Sequence, residues 1–359
     1  MKILVVTGAS GGHIFPALSL IEALAERDRG IEMLLVLPKR SLRAEALPAR
    51  FKVKHISISN LKMGFSFKNL IAVFDFLKGS LESLFLMIEF RPDVVVGFGS
   101  LNSIPLVILA WLFRTKTLIH EQNVIPGRAN KLLSKFADKI AISFAETKDY
   151  LKVSPERIVF TGNPIRKDLK RISRQEALKF FGFHEDKFTI LVVGGSQGSH
   201  RINVNFQEAV SLLAASSGFQ VIHLSGAKDF DPLLEKYEDS DINFRLYPFL
   251  KEMQYAYSAS DLAITRAGAT TISELLFFRS PAIIIPYPYA YAHQLSNARV
   301  LERMKTAIVI KDEELEAEDL KETLEDLMSN PDKIRQMRQN FSRDISLDAD
   351  LLLAKEVLA

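Results

Sequence analysis

The chain has 359 residues, 48% of them hydrophobic and 25% charged, with 46 Lys and Arg against 43 Asp and Glu. That length suits two domains with sizeable cores, and a net charge of +3 selects no partner by itself. The absence of cysteine excludes a disulfide framework, a thiolate nucleophile and a thiolate metal site, and fits a reducing compartment.

The opening "MKILVV" is a strand-like run with neither the long apolar core nor the cleavage site of a signal peptide. It leads into "TGASGGHIFPALSL", a Gly-rich elbow followed by a helix, which puts His13 where the chain turns into that helix. Such a position usually carries a small capping residue or faces a phosphate. Further strands are expected at "MLLVLP", "VKHISIS", "DVVVGF", "TLIHE" and "KIAISF". Between Lys39 and Lys68, Lys39, Arg40, Arg43, Arg50, Lys52, Lys54, Lys62 and Lys68 face a single acid, Glu45. This field attracts anionic lipid or a phosphorylated substrate. No motif for nucleic acid accompanies it, so nucleic acid is not an expected partner.

The next stretch, "FSFKNLIAVFDFLKGSLESLFL", repeats Leu70, Phe74 and Leu77 at i, i+4 and i+7 beside Lys68 and Lys78. Trp111 lies near the end of "IPLVILAWLF", the longest apolar run, whose ten residues are too few to span a bilayer. Leu70, Phe74, Leu77 and Trp111 fit an interfacial patch on an anionic membrane surface. The same spacing also fits a face packed on a sheet.

The pattern restarts at "VVGGSQGSH", followed by strands at "FQVIHLSG", "INFRLYPF", "DLAITRAG" and "PAIIIPYP". Nearly continuous apolar strands alternating with helices predict an α/β chain of two Rossmann-like, doubly wound parallel-sheet domains. They join near "TGNPIRKDL", giving domains of 1–163 and 164–341. Ligands of such sheets bind beyond the carboxyl ends of the strands, so two facing sheets would share one cleft.

Gly8, Gly11 and Gly12, and later Gly194, Gly195 and Gly198, offer backbone N–H groups to an anion, or simply allow close packing. Neither set reads G-x-G-x-x-G, and Lys39 and Arg40 stand where a nicotinamide enzyme carries its ribose-binding acid. A third loop, "TRAGATTISELL", puts Gly268 after a strand, with Thr270 or Thr271 as the expected helix cap. Glu274, one turn further in, suits either the two hydroxyls of a ribose or plain complementation of the helix dipole. The short "DFD", "DSD" and "DAD" matches follow no strong strand and read as solvated carboxylates rather than a metal clamp.

Together, "TGASGGHIFPALSL", "HEQNVIPGRANKLLS", "TGNPIR", "LVVGGSQGS" and "RAGATTISELLFFRSPAIIIPYPYAYAHQLSNA" resemble the MurG family, the peptidoglycan N-acetylglucosaminyltransferases of bacteria. The resemblance covers essentially the whole chain. It implies a GT-B fold, two Rossmann-like domains facing across a cleft, with a C-terminal helix at about 342–359 returning to the first. It implies inverting transfer of GlcNAc from UDP-GlcNAc to the C4 hydroxyl of MurNAc in undecaprenyl-diphospho-MurNAc-pentapeptide (lipid I to lipid II). The setting is the cytoplasmic side of the inner or plasma membrane, with cell-wall synthesis proteins as candidate partners, and no cofactor and no metal are expected.

Carried over residue by residue, the resemblance puts Arg166 near the donor diphosphate, with Ser196 and Gln197 beside it. Leu250 falls in the uracil pocket. The run Ala269, Thr270, Thr271, Ile272, Ser273 and Glu274 takes phosphates and ribose, Gln294 the sugar hydroxyls, and Arg266 is a further substrate-binding residue. From the first domain, Ser10, Gly11 and Gly12 close over the donor, and Asn123 faces the sugar. His13 is the expected general base, because unperturbed imidazole titrates at about 6.5 and a helix start disfavours its charged form. Glu121 of "HEQN" is the other candidate, or else it orients the acceptor or a neighbour such as His120. Departures also stand out: "GAS" replaces "GGT", and His293 replaces a glutamine. Ser100, Leu101 and Ile104 replace Gly, Tyr and Gly in the loop expected to face the acceptor diphosphate. The readings left beside this one are another UDP-sugar glycosyltransferase acting on a glycolipid, a UDP-GlcNAc 2-epimerase, and a non-catalytic nucleotide-sugar-binding scaffold.

Overall fold

A computed structural model describes residues 1–39, 52–58, 67–195, 197–213, 218–289, 293–341 and 348–359, with the side chains of 67–71 left out. The chain divides into two compact units, Met1–Arg166 with Ser346–Ala359, and Lys167–Ile345.

The first unit holds strands β1 (Lys2–Val6), β2 (Glu32–Pro38), β3 (Lys52–Ile56), β4 (Val94–Gly97), β5 (Lys116–Glu121), β6 (Lys139–Ile142) and β7 (Ile158–Phe160). Its first helices are α1 (Gly11–Arg27), α2 (Phe67–Phe90), α3 (Ser103–Leu112) and α4 (Arg128–Leu133). The second unit runs α5 (Arg174–Phe181), β8 (Phe188–Val193), α6 (His200–Leu213), β9 (Phe219–Leu224), α7 (Phe230–Glu238), β10 (Asn243–Tyr247) and α8 (Met253–Ala259). It continues with β11 (Leu262–Thr265), α9 (Ala269–Phe278), β12 (Ala282–Ile284), α10 (His293–Arg303), β13 (Ala307–Val309), α11 (Ala317–Ser329) and α12 (Pro331–Gln339). The closing helix, α13 (Ala349–Leu358), belongs with the first unit.

Both sheets are parallel, in the orders β3-β2-β1-β4-β5-β6-β7 and β10-β9-β8-β11-β12-β13. In each, the order reverses beside the first strand of the unit, β1 or β8, which is the Rossmann switch point. The alternation within β1 shows the double winding. Ile3 and Val5 pack with α1 and α13, while Leu4 and Val6 pack with α2 and α3 on the other face. In α13, Leu353, Ala354 and Val357 are fully buried in the core shared with α1. In the second unit, Ile190 and Val192 of β8 join a core with α6, α7 and α11.

Two strands absent from the sequence reading, β7 and β13, are three residues long and lie at sheet edges. The long apolar helix α2 does not bury its stripe. Val73, Phe74, Leu77, Leu81, Phe85 and Ile88 are each at least half exposed, and beside them on α3 Trp111, Leu112 and its neighbour Phe113 are also exposed. The stripe rises about 22 Å along the helix. Among the described residues, no helix is long and apolar enough to cross a membrane. Of the basic field, Lys39 is neutralised by Glu82 at 3.0 Å and Lys52 by Glu32 at 2.8 Å, while most of the rest lies outside the described residues.

Candidate active site

The elbow after β1 is built around His13. Ser10 is the N-cap of α1, yet its hydroxyl makes no capping bond to a backbone N–H. It meets His13 Nδ1 at 2.7 Å instead, which leaves Nε2 as the ring nitrogen not engaged by Ser10. Gly8 makes room for this arrangement: a Cβ there would come within 2.7 Å of Ser100 Cβ and 3.3 Å of His13 Nδ1. His13 retains some exposed surface, but protein crowds the ring, and this desolvation lowers its pKa to about 4. At that value the ring is neutral throughout the physiological range, and burial is the cause.

Ser100 itself has φ of 69°. This left-handed backbone costs a serine about 1 kcal/mol or more, and glycine adopts it freely. Glycine is the residue this sequence lacks at that position.

Behind the elbow lies "HEQN". His120 is fully buried, donating Nε2–H to the Gly162 carbonyl at 3.0 Å and accepting from Gln122 Nε2 at 3.1 Å. Those partners fix a neutral ring, and burial lowers its pKa to about 4. Glu121 does not touch it. The Glu121 carboxylate is 2% exposed and accepts from Asn123 N (2.9 Å) and Nδ2 (3.2 Å), Gly127 N (3.0 Å) and Asn130 Nδ2 (2.8 Å). With four donors on it, this group organises the 121–130 loop and is poorly placed to accept a substrate proton. Arg166 is the last residue of the first unit rather than part of the second, and its guanidinium lies 5.4 Å over the Phe15 ring of α1.

In the second unit the loops at the carboxyl ends of β8, β9, β11 and β12 converge. Most of their glycines serve packing. Gly198 and Gly226, both with positive φ, press against the backbones of Ser225 and Gln197 so closely that neither tolerates a Cβ. Gly195 alone of the β8-loop glycines faces open space. Gln197 is exposed, while Ser196 lies outside the described residues.

Helix α9 offers a candidate anion site. Its N-cap is Gly268, so Thr270 and Thr271 lie inside the helix and neither caps it, contrary to expectation. No side chain caps the first turn and no acid lies in it, so the positive end of the helix dipole suits an anion. The Thr270 hydroxyl is buried without a partner. Ala269 and Ile272 are buried, and the Ser273 hydroxyl bonds back to the Ala269 carbonyl at 2.9 Å. Glu274 sits in the second turn and accepts from Tyr257 Oη at 2.9 Å. Leu250 is buried beside a half-exposed Phe249.

Arg266, expected among the substrate-binding residues, makes several contacts within the second unit. It pairs with Asp312, donates to Ser199 Oγ at 2.7 Å and to the Ile285 carbonyl at 3.1 Å, and lies over Tyr287. It therefore ties three loops together. Gln294 does similar work, since its Oε1 accepts from Ala267 N (3.0 Å) and Tyr287 N (2.9 Å), which makes its amide nitrogen the end available to a ligand. Asp229 of "DFD" is not solvated either; it accepts from Asn203 Nδ2 at 2.8 Å and meets His200 Nδ1 at 3.0 Å. Among the described residues, no cluster of three or more His, Asp or Glu is arranged to hold a metal.

Residues 3–142 match the glycosyltransferase family 28 N-terminal domain and residues 189–351 its C-terminal domain. A UDP-N-acetylglucosamine–N-acetylmuramyl-(pentapeptide) pyrophosphoryl-undecaprenol N-acetylglucosamine transferase from Thermoanaerobacter sp. (strain X514) is 37% identical over 355 residues, 97% of each chain. The chain belongs to this transferase family. The crystal structure of Acinetobacter baumannii MurG, a solved member of the family, superposes with a TM-score of 0.79 at 24% identity, covering 100% of this chain and 99% of that one. The fold is GT-B, as the family resemblance implied. A UDP-GlcNAc 2-epimerase from Neisseria meningitidis, solved with UDP-GlcNAc bound, has a TM-score of 0.68 at 14% identity and full coverage of both chains. That likeness is one of fold alone; the transferase relationship extends to sequence.

Proposed function

We propose that this chain transfers GlcNAc from UDP-GlcNAc to the C4 hydroxyl of MurNAc in undecaprenyl-diphospho-MurNAc-pentapeptide, converting lipid I to lipid II in peptidoglycan synthesis. The carrying observation is the 37% identity that spans 97% of both chains.

The chemistry is a single displacement. The acceptor oxygen forms a bond to the anomeric carbon as the bond to UDP breaks, turning an α donor into a β product. The acceptor proton passes to His13 Nε2. The ring must be neutral to accept it, and crowding, which lowers its pKa to about 4, keeps it neutral. The 2.7 Å contact to Ser10 selects the tautomer when Nδ1–H donates to the hydroxyl, leaving the Nε2 lone pair for the acceptor. Glu121 is a positioning group that shapes the loop carrying Asn123, which faces the sugar, rather than the base.

On the donor side, the first turn of α9 and the unpartnered Thr270 hydroxyl take up charge developing on the leaving diphosphate. Gln197 adds to the diphosphate contacts, while Ser196 lies outside the described residues. Leu250 contacts the base, Glu274 the ribose, and the Gln294 amide nitrogen the GlcNAc hydroxyls. Arg266 shapes the loops around them.

A polyprenyl acceptor requires work at a bilayer surface. On this reading the enzyme is peripheral, on the cytoplasmic face of the inner or plasma membrane, with Phe74, Leu77 and Trp111 entering the interface. Leu70, the fourth residue of the expected patch, has a side chain outside the described set.

The test is a transfer assay with labelled UDP-GlcNAc and a lipid I analogue, with identification of the product. A β-linked GlcNAc–MurNAc disaccharide on the lipid supports the proposal. Formation of UDP-ManNAc, or transfer to a different glycolipid only, overturns it.

A further inference from the structure

Glu274 lies on α9, and the group that holds it comes from elsewhere. Tyr257 of α8 donates its hydroxyl to Glu274 Oε2 at 2.9 Å. The phenol ring is 4% exposed and stacks on Phe278, one turn beyond Glu274 on the same helix, with centroids 5.0 Å apart and planes inclined by 16°. The ring is thus set by its stack, and its hydroxyl fixes one oxygen of the carboxylate. A glutamate left to itself loses considerable rotamer freedom when a ligand orders it. Here the Tyr257 hydroxyl supplies part of that ordering before any ligand arrives.

We infer that Tyr257 is a positioning residue for recognition of the nucleotide's ribose hydroxyls, acting by holding the Glu274 carboxylate in its receiving orientation. The inference rests on the reading that Glu274 binds the ribose. A hydroxyl-to-carboxylate bond is charge-assisted and geometrically specific, so its effect falls on ligand groups that the carboxylate touches. The uracil and the phosphates do not report it.

The experiment measures the affinity of the full chain for UDP and for 2′,3′-dideoxy-UDP by calorimetry, in wild type, Tyr257→Phe, Glu274→Gln and the double variant. The phenylalanine keeps the stack on Phe278 and removes only the hydroxyl. Expected is a loss of about three- to tenfold in UDP affinity for Tyr257→Phe, with the dideoxy ligand unchanged. That loss should vanish when Glu274→Gln is already present. Each comparison is a ratio between two ligands on one protein sample, so a general fall in stability cancels.

Equal affinities of the wild type for the two ligands, unaltered by Glu274→Gln, would overturn the ribose reading itself. A wild type that discriminates while Tyr257→Phe discriminates by the same ratio would overturn the role of Tyr257 and leave the ribose reading standing. Equal loss for both ligands would also overturn it, because it would mark a structural effect on the whole pocket.

Discussion

The chain contains the same local sequence idea twice, and the two copies do different things. "VVTGASGGH" and "VVGGSQGSH" each run a buried central strand into a Gly-rich elbow, then a helix with a histidine at its start. In the first unit His13 is the third residue of α1, crowded, with Nδ1 on a serine hydroxyl and a pKa lowered to about 4. In the second, His200 is the first residue of α6, its side chain 78% exposed and paired with the Asp229 carboxylate. A strand, a glycine loop and a histidine therefore do not define a catalytic base. Burial and the partner atom on the ring decide it.

Removing each imidazole should separate the copies most sharply. His13→Ala is expected to lower kcat about 10²–10⁴-fold, with UDP-GlcNAc affinity retained. His200→Ala should leave kcat unchanged and shift stability by no more than about 0.5 kcal/mol. Steady-state kinetics and donor titration check both, and comparable losses from the two variants would abolish the distinction.

The second unit's elbow is anchored by the nearly buried Arg266–Asp312 pair, which also holds Ser199. Arg266→Ala strands Asp312 and should cost about 3–5 kcal/mol, seen as a large fall in Tm.

Acid should act mainly on buried histidines. His120 and His223 are fully buried with pKa values lowered to about 4 and about 3. Above pH 6.5 folded and unfolded states are both neutral at these sites, so they contribute nothing to pH dependence. Below it the unfolded chain binds protons first, and stability falls progressively as pH drops from 6.5 towards 4. The loss is of order 3 kcal/mol for His120 alone, and denaturant titrations across that window measure it.

The smallest effect is at Ser100, whose left-handed backbone opposes the first elbow. Ser100→Gly should stabilise the chain by about 0.5–1 kcal/mol, read as a rise in Tm.

How much the sequence disclosed follows the range of the interactions involved. Long apolar strands such as "KILVV" and "FTILVV" announce themselves, because strands covered on both faces need no polar alternation. The edge strands β7 and β13 do not, being three residues long. The motif residues on loops were legible as types, but their partners were not. Arg266 finds Asp312 46 residues away, and Tyr257 reaches Glu274 across a strand and a turn. Glu121 looks like a spare carboxylate until the amides of Asn123 and Gly127 close on it. The helix cap misled for a local reason: Gly268, in extended backbone, occupies the cap and leaves the threonines as the second and third residues of the helix. Periodicity found Phe74 and Leu77 but could not say that the whole stripe to Ile88 lies open.

Nitrogen-15 NMR of His13 in the intact enzyme, titrated from pH 8 downward, addresses the central claim most directly. A neutral ring protonated at Nδ1, with an unprotonated Nε2 that resists protonation until well below pH 5, is the predicted result. A ring protonated at Nε2, or one that titrates near 6.5 like free imidazole, would contradict the account.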